Sequence, residues 1–268
     1  MSLSQNTPQT SYDPKYFSPL FEAEEKHFWF RSRNEILSRM IKKLIDPLPD
    51  KFHLVEVGCG TGNVLRMLEQ TCSRGIVAGM DLFSDGLQFA RRRVKVPLIQ
   101  GDMTHPPFLG QFDVVCMFDV LEHLPDDIAI LKSVRELLNT GGKLLITVPA
   151  DPGLWSYFDT ASHHYRRYTK NDLQEKIKEA GFEVEFVSPY MLAIYPIVWL
   201  NRHLASLGKK ESQLDEESIE KLSTNELSII PVVNEMLTWI LSKEAGWLAD
   251  GKQLISGTSL IAVAKKTG

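Results

Sequence analysis

Two groups of residues in this 268-residue chain can do chemistry by type and spacing. The first is Glu56-x-Gly58-x-Gly60-x-Gly62, followed down the chain by Asp81, Asp102 and Asp119. Glycines at alternate positions remove side-chain bulk and permit backbone angles that other residues resist, so main-chain N–H groups can come close to a bound molecule. A carboxylate about twenty residues after such a loop, at a strand end, can accept hydrogen bonds from both hydroxyls of a ribose. The second group is His123 together with Asp159, His163, His164, Tyr165, Arg166, Arg167 and Tyr168. Imidazoles exchange protons near neutrality, and guanidinium forks match carboxylate and phosphate geometry. This group suits an acceptor with an acidic group and a proton to lose; a loop ordered only by tyrosine and arginine packing is the alternative.

Strands and helices must place these groups. Apolar runs at residues 54–57, 75–81, 98–103, 112–118 and 141–149 read as strands, and residues 64–70, 84–93, 126–138 and 170–180 have helical apolar spacing. A sixth strand is expected at 183–187 and a seventh at 253–264. Such alternation requires a mainly parallel sheet with helices on both faces, and ligands then sit beyond the carboxyl ends of the strands. That is where the glycine loop, Asp81, Asp102 and Asp119 fall. A nicotinamide-type fingerprint would need a third glycine where Asn63 stands, and no Gly-Lys-Ser/Thr follows for a phosphate loop.

In order and spacing, these landmarks resemble the class I S-adenosylmethionine-dependent methyltransferases over residues 54–188. The resemblance implies an α/β fold with a Rossmann-like, seven-stranded, mainly parallel sheet, an N-terminal helical cap and a helical insertion before the last strand. It implies S-adenosyl-L-methionine as cofactor and S-adenosyl-L-homocysteine as product. The cofactor would lie against Glu56, Gly58, Cys59, Gly60, Gly62, Asp81, Leu82, Gly101, Asp102, Met103, Phe118 and Asp119, with Asp102 facing the adenine amino group. The H-F-W-F-R stretch around Trp29 and the R-R-Y loop resemble a subset of uncharacterised small-molecule methyltransferases. Trp29, Arg166, Arg167 and Tyr168 are the expected acceptor contacts. His123 is the first candidate base, with His163, His164 and Tyr165 as the others. In-line displacement of a methyl from a sulfonium requires no metal, and no ligand cluster in the sequence insists on one. A nicotinamide-dependent oxidoreductase and a non-catalytic cofactor-binding regulator are the rival readings.

The remaining sequence sets the surroundings. The expected organisation is a tail and helical cap at 1–50, the cofactor-binding core at 51–188, a helical insertion at 189–252 and a final strand at 253–268. A tail without structure is expected as far as Ser11. A formal net charge of −4 and a pI near 6.0 give no bias toward nucleic acid. Three scattered cysteines fit a reducing cytoplasm better than secretion, and the polar first dozen residues give no signal peptide. The acceptor would be small or lipid-like, and the protein a monomer or homodimer. In the insertion, the apolar run 190–200 is interrupted by Pro196 and too short for a bilayer. Its expected uses are core packing, then a lid or pocket wall, then weak peripheral membrane contact. A polar section at 209–226 is expected as loop. Arg91, Arg92 and Arg93 are expected to complement a helix dipole.

Overall fold

Residues 16–107, 111–207 and 229–268 are described by the computed structural model. The expected tail to Ser11 and the polar section 209–226 lie outside the described residues.

The expected N-terminal helical cap is made of two helices. α1 (Phe17–Ala23) stops before His27, whose side chain accepts from the Trp29 N–H and starts α2 (Phe28–Ile45). α2 buries Phe30, Ile36, Leu37, Met40 and Ile41 at helical spacing, and ends just before Pro47 and Pro49. The core follows as β1 (His53–Val57), α3 (Asn63–Thr71), β2 (Ile76–Asp81), α4 (Ser84–Ala90), β3 (Leu98–Gln100), β4 (Phe112–Phe118), α5 (Asp127–Leu137) and β5 (Leu138–Pro149). After β5 come α6 (Tyr157–Ala161), α7 (Lys170–Glu179), β6 (Phe182–Tyr190), α8 (Tyr195–Leu207), α9 (Pro231–Ala249) and β7 (Ser259–Lys266).

The seven strands form one sheet in the order β3-β2-β1-β4-β5-β7-β6. β7 runs antiparallel to β5 and β6, and the other described pairings are parallel. Both faces are buried, so the strands are almost continuously apolar and successive residues serve opposite cores. Leu54, Cys116 and Ile261 pack with α2, α3 and α9, whereas Val55, Met117 and Ala262 pack with α5 and α7. The chain leaves β1 toward β2 on one side and reaches β4 on the other, so a crevice opens between the ends of β1 and β4.

Two expectations need adjusting. β3 ends at Gln100, which leaves Asp102 in the loop beyond it. β7 begins at Ser259 rather than residue 253, because the approach to it is pinned as a bend. There the Leu254 N–H donates to Ser188 Oγ at 2.8 Å, and a Cβ on Gly257 would lie 2.0 Å from the Tyr190 carbonyl oxygen. The insertion helix α9 lies along α2. Asn234 accepts from the Phe28 N–H at 2.6 Å and donates to the Lys26 carbonyl at 2.9 Å, while buried Glu244 accepts from the N–H groups of Leu192 and Ala193. No helix among the described residues is long and apolar enough to cross a membrane.

Candidate active site

The carboxyl ends of the strands open into a cavity of about 860 Å³, covered by residues of α1, α2, α6 and α8. Its first wall is the glycine loop. Gly58, Gly60 and Gly62 all have positive φ, and a Cβ on Gly58 would sit 2.3 Å from the Val120 side chain. Gly62 caps α3 and presses on Ala90, where a Cβ would come within 2.9 Å of the backbone. The loop is tied to the next strand, since the Gly60 N–H donates to Asp81 Oδ2 at 2.7 Å and the Phe83 N–H to Oδ1 at 2.8 Å. Burial raises the Asp81 pKa above the usual carboxylate value, and the N–H groups of Phe83, Gly60 and Leu82 offset only part of this. Each carboxylate oxygen keeps a second lone pair for a ligand hydroxyl.

Of the residues expected around a cofactor, Glu56, Gly58, Cys59, Gly60, Asp81, Leu82, Gly101, Asp102, Met103, Phe118 and Asp119 line the cavity. Gly62 instead sits behind the loop. Glu56 is buried, one of its carboxylate oxygens has no hydrogen-bond partner among the described residues, and burial pushes its pKa well up. A buried acceptor facing a cavity suits a ligand with a cationic or N–H donor group.

Arg33 was not legible as a site residue. Its Nη1 donates to Asp119 Oδ2 at 2.6 Å, and its guanidinium lies 4.7 Å from the centre of the Trp29 ring. Asp119 holds a left-handed φ of 54° at the end of β4, fixed from the other side by Thr147 Oγ1 at 3.1 Å. Trp29 lines the cavity and also braces this pair. Arg33 falls between Phe30 and Leu37 on the buried stripe of α2, and a charge on an apolar stripe was the available signal. Arg93 is a second case. It is buried rather than a solvated dipole partner, and it joins Glu24 of the cap and Thr61 of the glycine loop, whose hydroxyl donates to Glu24 at 2.5 Å.

The opposite wall comes from the turn Leu121–His123 and the segment around α6. Glu122 is buried, with one carboxylate oxygen unpartnered among the described residues, and burial followed by the charge of Asp119 drives its pKa well up. His123 meets His164 edge to face, ring centres 4.6 Å apart. His164 Nδ1 lies 2.9 Å from Asp159 Oδ1, and Asp159 also accepts from Arg167 Nε at 2.8 Å and the Ser156 N–H at 2.9 Å. Burial alone would raise the Asp159 pKa, but the bonds from His164 and Arg167 outweigh it and hold it below the usual value. The Tyr165 N–H donates to the Glu122 carbonyl at 2.8 Å, so the two segments are latched together. One ligand atom from each of Glu122, His123 and His164 lies within 4.8 Å of the other two.

Not every expected residue reaches this cavity. His163 and Tyr165 are exposed outside it. Arg166 pairs with Asp127 at 2.6 Å and donates to the Pro125 carbonyl, while Tyr168 is fully buried with its hydroxyl 3.1 Å from the same Asp127. The chain is extended here, so Arg166 and Tyr168, two apart, share the side facing α5, and Arg167 is sent to the cavity side. Arg167 lines the cavity but is engaged by Asp159 and the Ala150 carbonyl. In the insertion, Tyr190 is buried in β6, the Tyr195 hydroxyl donates to Asp151 at 2.7 Å, and Trp199 stacks on His203 in an exposed position. The pocket wall expected of the run 190–200 comes instead from Ile194, just before α8, and, with Asn201 and Arg202, from Val198 on the neighbouring face of that helix.

Residues 28–186 match the protein family described as methyltransferase domain. The chain belongs to this methyltransferase family. It is 27% identical over 165 residues to a Mycolicibacterium smegmatis protein named "Probable S-adenosylmethionine-dependent methyltransferase", with 60% of this chain and 62% of that one covered. It is 28% identical over 222 residues to a trans-aconitate 2-methyltransferase of Azoarcus sp., covering 69% of this chain and 84% of that one. In fold it is similar to phosphoethanolamine N-methyltransferase 2 of Haemonchus contortus, solved with S-adenosyl-L-methionine, at a TM-score of 0.60 and 19% identity. That match covers 97% of this chain and 59% of the other. The methyltransferase domain takes S-adenosyl-L-methionine as its donor, and the residues here fit it. Asp81, Asp102 and buried Glu56 line the cavity, and their carboxylates would be the partners for the donor's hydroxyl and amino groups.

Proposed function

We propose that the whole protein transfers a methyl group to an oxygen of a small, partly apolar, anionic acceptor. The observation that carries this reading is the composition of the acceptor half of the cavity. Apolar side chains of Tyr157, Phe158, Ile194 and Val198 line it together with the proton-accepting groups of Glu122, His123 and His164, and positive charge enters from Arg202 beside the Tyr157 ring at 5.2 Å. The relative named for trans-aconitate supports an acidic small molecule.

The chemistry is a displacement. An acceptor oxygen loses its proton toward the Glu122, His123 and His164 wall, and its lone pair forms the new bond to the methyl carbon. The carbon–sulfur pair returns to sulfur and discharges the sulfonium. The protein's part is alignment and exclusion of water, which the cover of α1, α2 and α8 provides. In this reading the H-F-W-F-R cap and R-R-Y loop mark a small-molecule subset, and residues 189–252 are an acceptor-side insertion on the 51–188 core, completed by 253–268. The protein works as a monomer or homodimer in the reducing cytoplasm, which its buried free cysteines suit. Exposed Val232, Met236 and Trp239 on α9 favour shallow contact with membranes.

The test is transfer of labelled methyl from S-adenosyl-L-methionine to a panel of di- and tricarboxylates, hydroxy acids and phenolic acids. Incorporation into anionic acceptors is expected, with Arg202→Ala raising KM and leaving donor affinity unchanged. Protein that binds the donor yet labels nothing in the panel or in a whole metabolite extract would overturn the proposal.

A further inference from the structure

We infer that Glu122, His123 and His164 form a binding site for a divalent cation of the zinc or manganese type, set in the acceptor wall of the cavity. The inference rests on the acceptor reading above only for what the cation does, not for its binding. Four observations support it. Glu122 and the two histidines each bring a ligand atom within 4.8 Å of the others. A site with metal–ligand bonds of 2.0–2.2 Å would hold those atoms roughly 3.4 Å apart, so the side chains need close by no more than about 1.4 Å on loading. Glu122 is only 1% exposed, and one of its oxygens has no hydrogen-bond partner among the described residues, which is costly for a carboxylate without a cation. Asp159, fully buried, engages His164 at Nδ1, which fixes the ring and leaves Nε2 as a lone pair for a metal. The Tyr165 N–H to Glu122 carbonyl bond brings the two ligand-bearing segments together.

Two imidazoles with one carboxylate favour zinc, manganese or iron over calcium and magnesium, which prefer all-oxygen shells. Three protein ligands leave a coordination position open toward the cavity. With a cation held there, the three side chains would serve as its ligands in place of taking the proton themselves: an acceptor hydroxyl oxygen at the open position would become more acidic and release its proton to water, leaving the oxygen lone pair to take the methyl carbon as the carbon–sulfur bond breaks. No such cluster is visible in the sequence, because His164 is distant from Glu122 and His123 along the chain.

Full-length protein stripped with a chelator should take up one equivalent of Co²⁺, read by its visible absorption, and of Zn²⁺, read by calorimetry. E122Q and H164A should each lose that uptake while binding S-adenosyl-L-homocysteine as the wild type does, which reports an intact fold; E122Q keeps the side-chain shape if H164A does not fold. Uptake by a protein that methylates nothing in the acceptor panel still supports the site. Wild-type protein that binds S-adenosyl-L-homocysteine but no Co²⁺ or Zn²⁺, or undiminished uptake by E122Q and H164A, would overturn it and leave the methyl-transfer reading standing.

Discussion

Asp81 does two jobs with one side chain, fixing the glycine loop through Gly60 and presenting oxygen to the cavity. Charged hydrogen bonds are worth about 1.5–3 kcal/mol, so Asp81→Ala should weaken S-adenosyl-L-homocysteine binding at least about tenfold by calorimetry, with the fold retained. Wild-type affinity in the variant would contradict the assignment. Arg33 and Asp119 act as a unit. Removing either partner leaves a largely buried charge, so R33A and D119A should each cost about 2–4 kcal/mol in chemical denaturation, and the double variant should cost clearly less than the sum. An additive result would mean the pair is not coupled. The thiols of Cys59, Cys72 and Cys116 are all pushed up by burial, Cys72 to about 12, so thiol reagents should react only after denaturant is added. The glycine loop and Asp81 were readable because each requirement is local in the chain. Arg33 was not, because its partner lies 86 residues away, and Glu24, Thr61 and Arg93 assemble across gaps of 37 and 69 residues.

Elements are joined by a few buried polar groups whose loss should loosen whole segments. Asn234 ties α9 to the start of α2 with two hydrogen bonds, so Asn234→Ala should destabilise by about 1–3 kcal/mol and speed hydrogen exchange at residues 26–30. Unchanged exchange there would show that α9 is held by apolar packing alone. Asp127, at the first turn of α5, collects Arg166, Lys176 and Tyr168 and so binds α5, α7 and the R-R-Y segment. Burial opposes its ionisation, but Arg166 and Lys176 dominate and hold its pKa below the usual value. A carboxylate with a depressed folded pKa stabilises above its unfolded pKa and loses that contribution as pH falls through the folded one. The stability gap between wild type and Asp127→Asn should therefore be constant from neutrality to about pH 5 and shrink below about pH 4. A gap that grew on acidification would contradict the pairing. Most strands were legible from apolar runs bounded by glycine. The start of β7 was not, because its residues have strand-like composition while Gly257 and Ser188 hold the backbone in a bend.

On the scale of the molecule, alternating strands and helices made the sheet and its ligand edge readable, since a sheet buried on both faces leaves continuous apolar runs. The cover over that edge was readable only as helical. Which face of α8 meets the cavity depends on a rotation of about one residue, which separates Ile194 and Val198 from Tyr195 and Trp199. The same applies to the R-R-Y loop, where alternation along an extended chain decides that Arg167 faces the cavity and Arg166 faces Asp127. In the proposed reaction, donor and acceptor occupy opposite halves of one cavity, with the reactive sulfur turned toward Glu122, His123 and His164. Crystals grown with S-adenosyl-L-homocysteine test it most directly. The expected complex has the ribose hydroxyls on Asp81, the adenine near Asp102 and the sulfur facing the Glu122, His123 and His164 wall. Adenosine bound at Arg202, or a sulfur turned toward α1 and away from that wall, would contradict it.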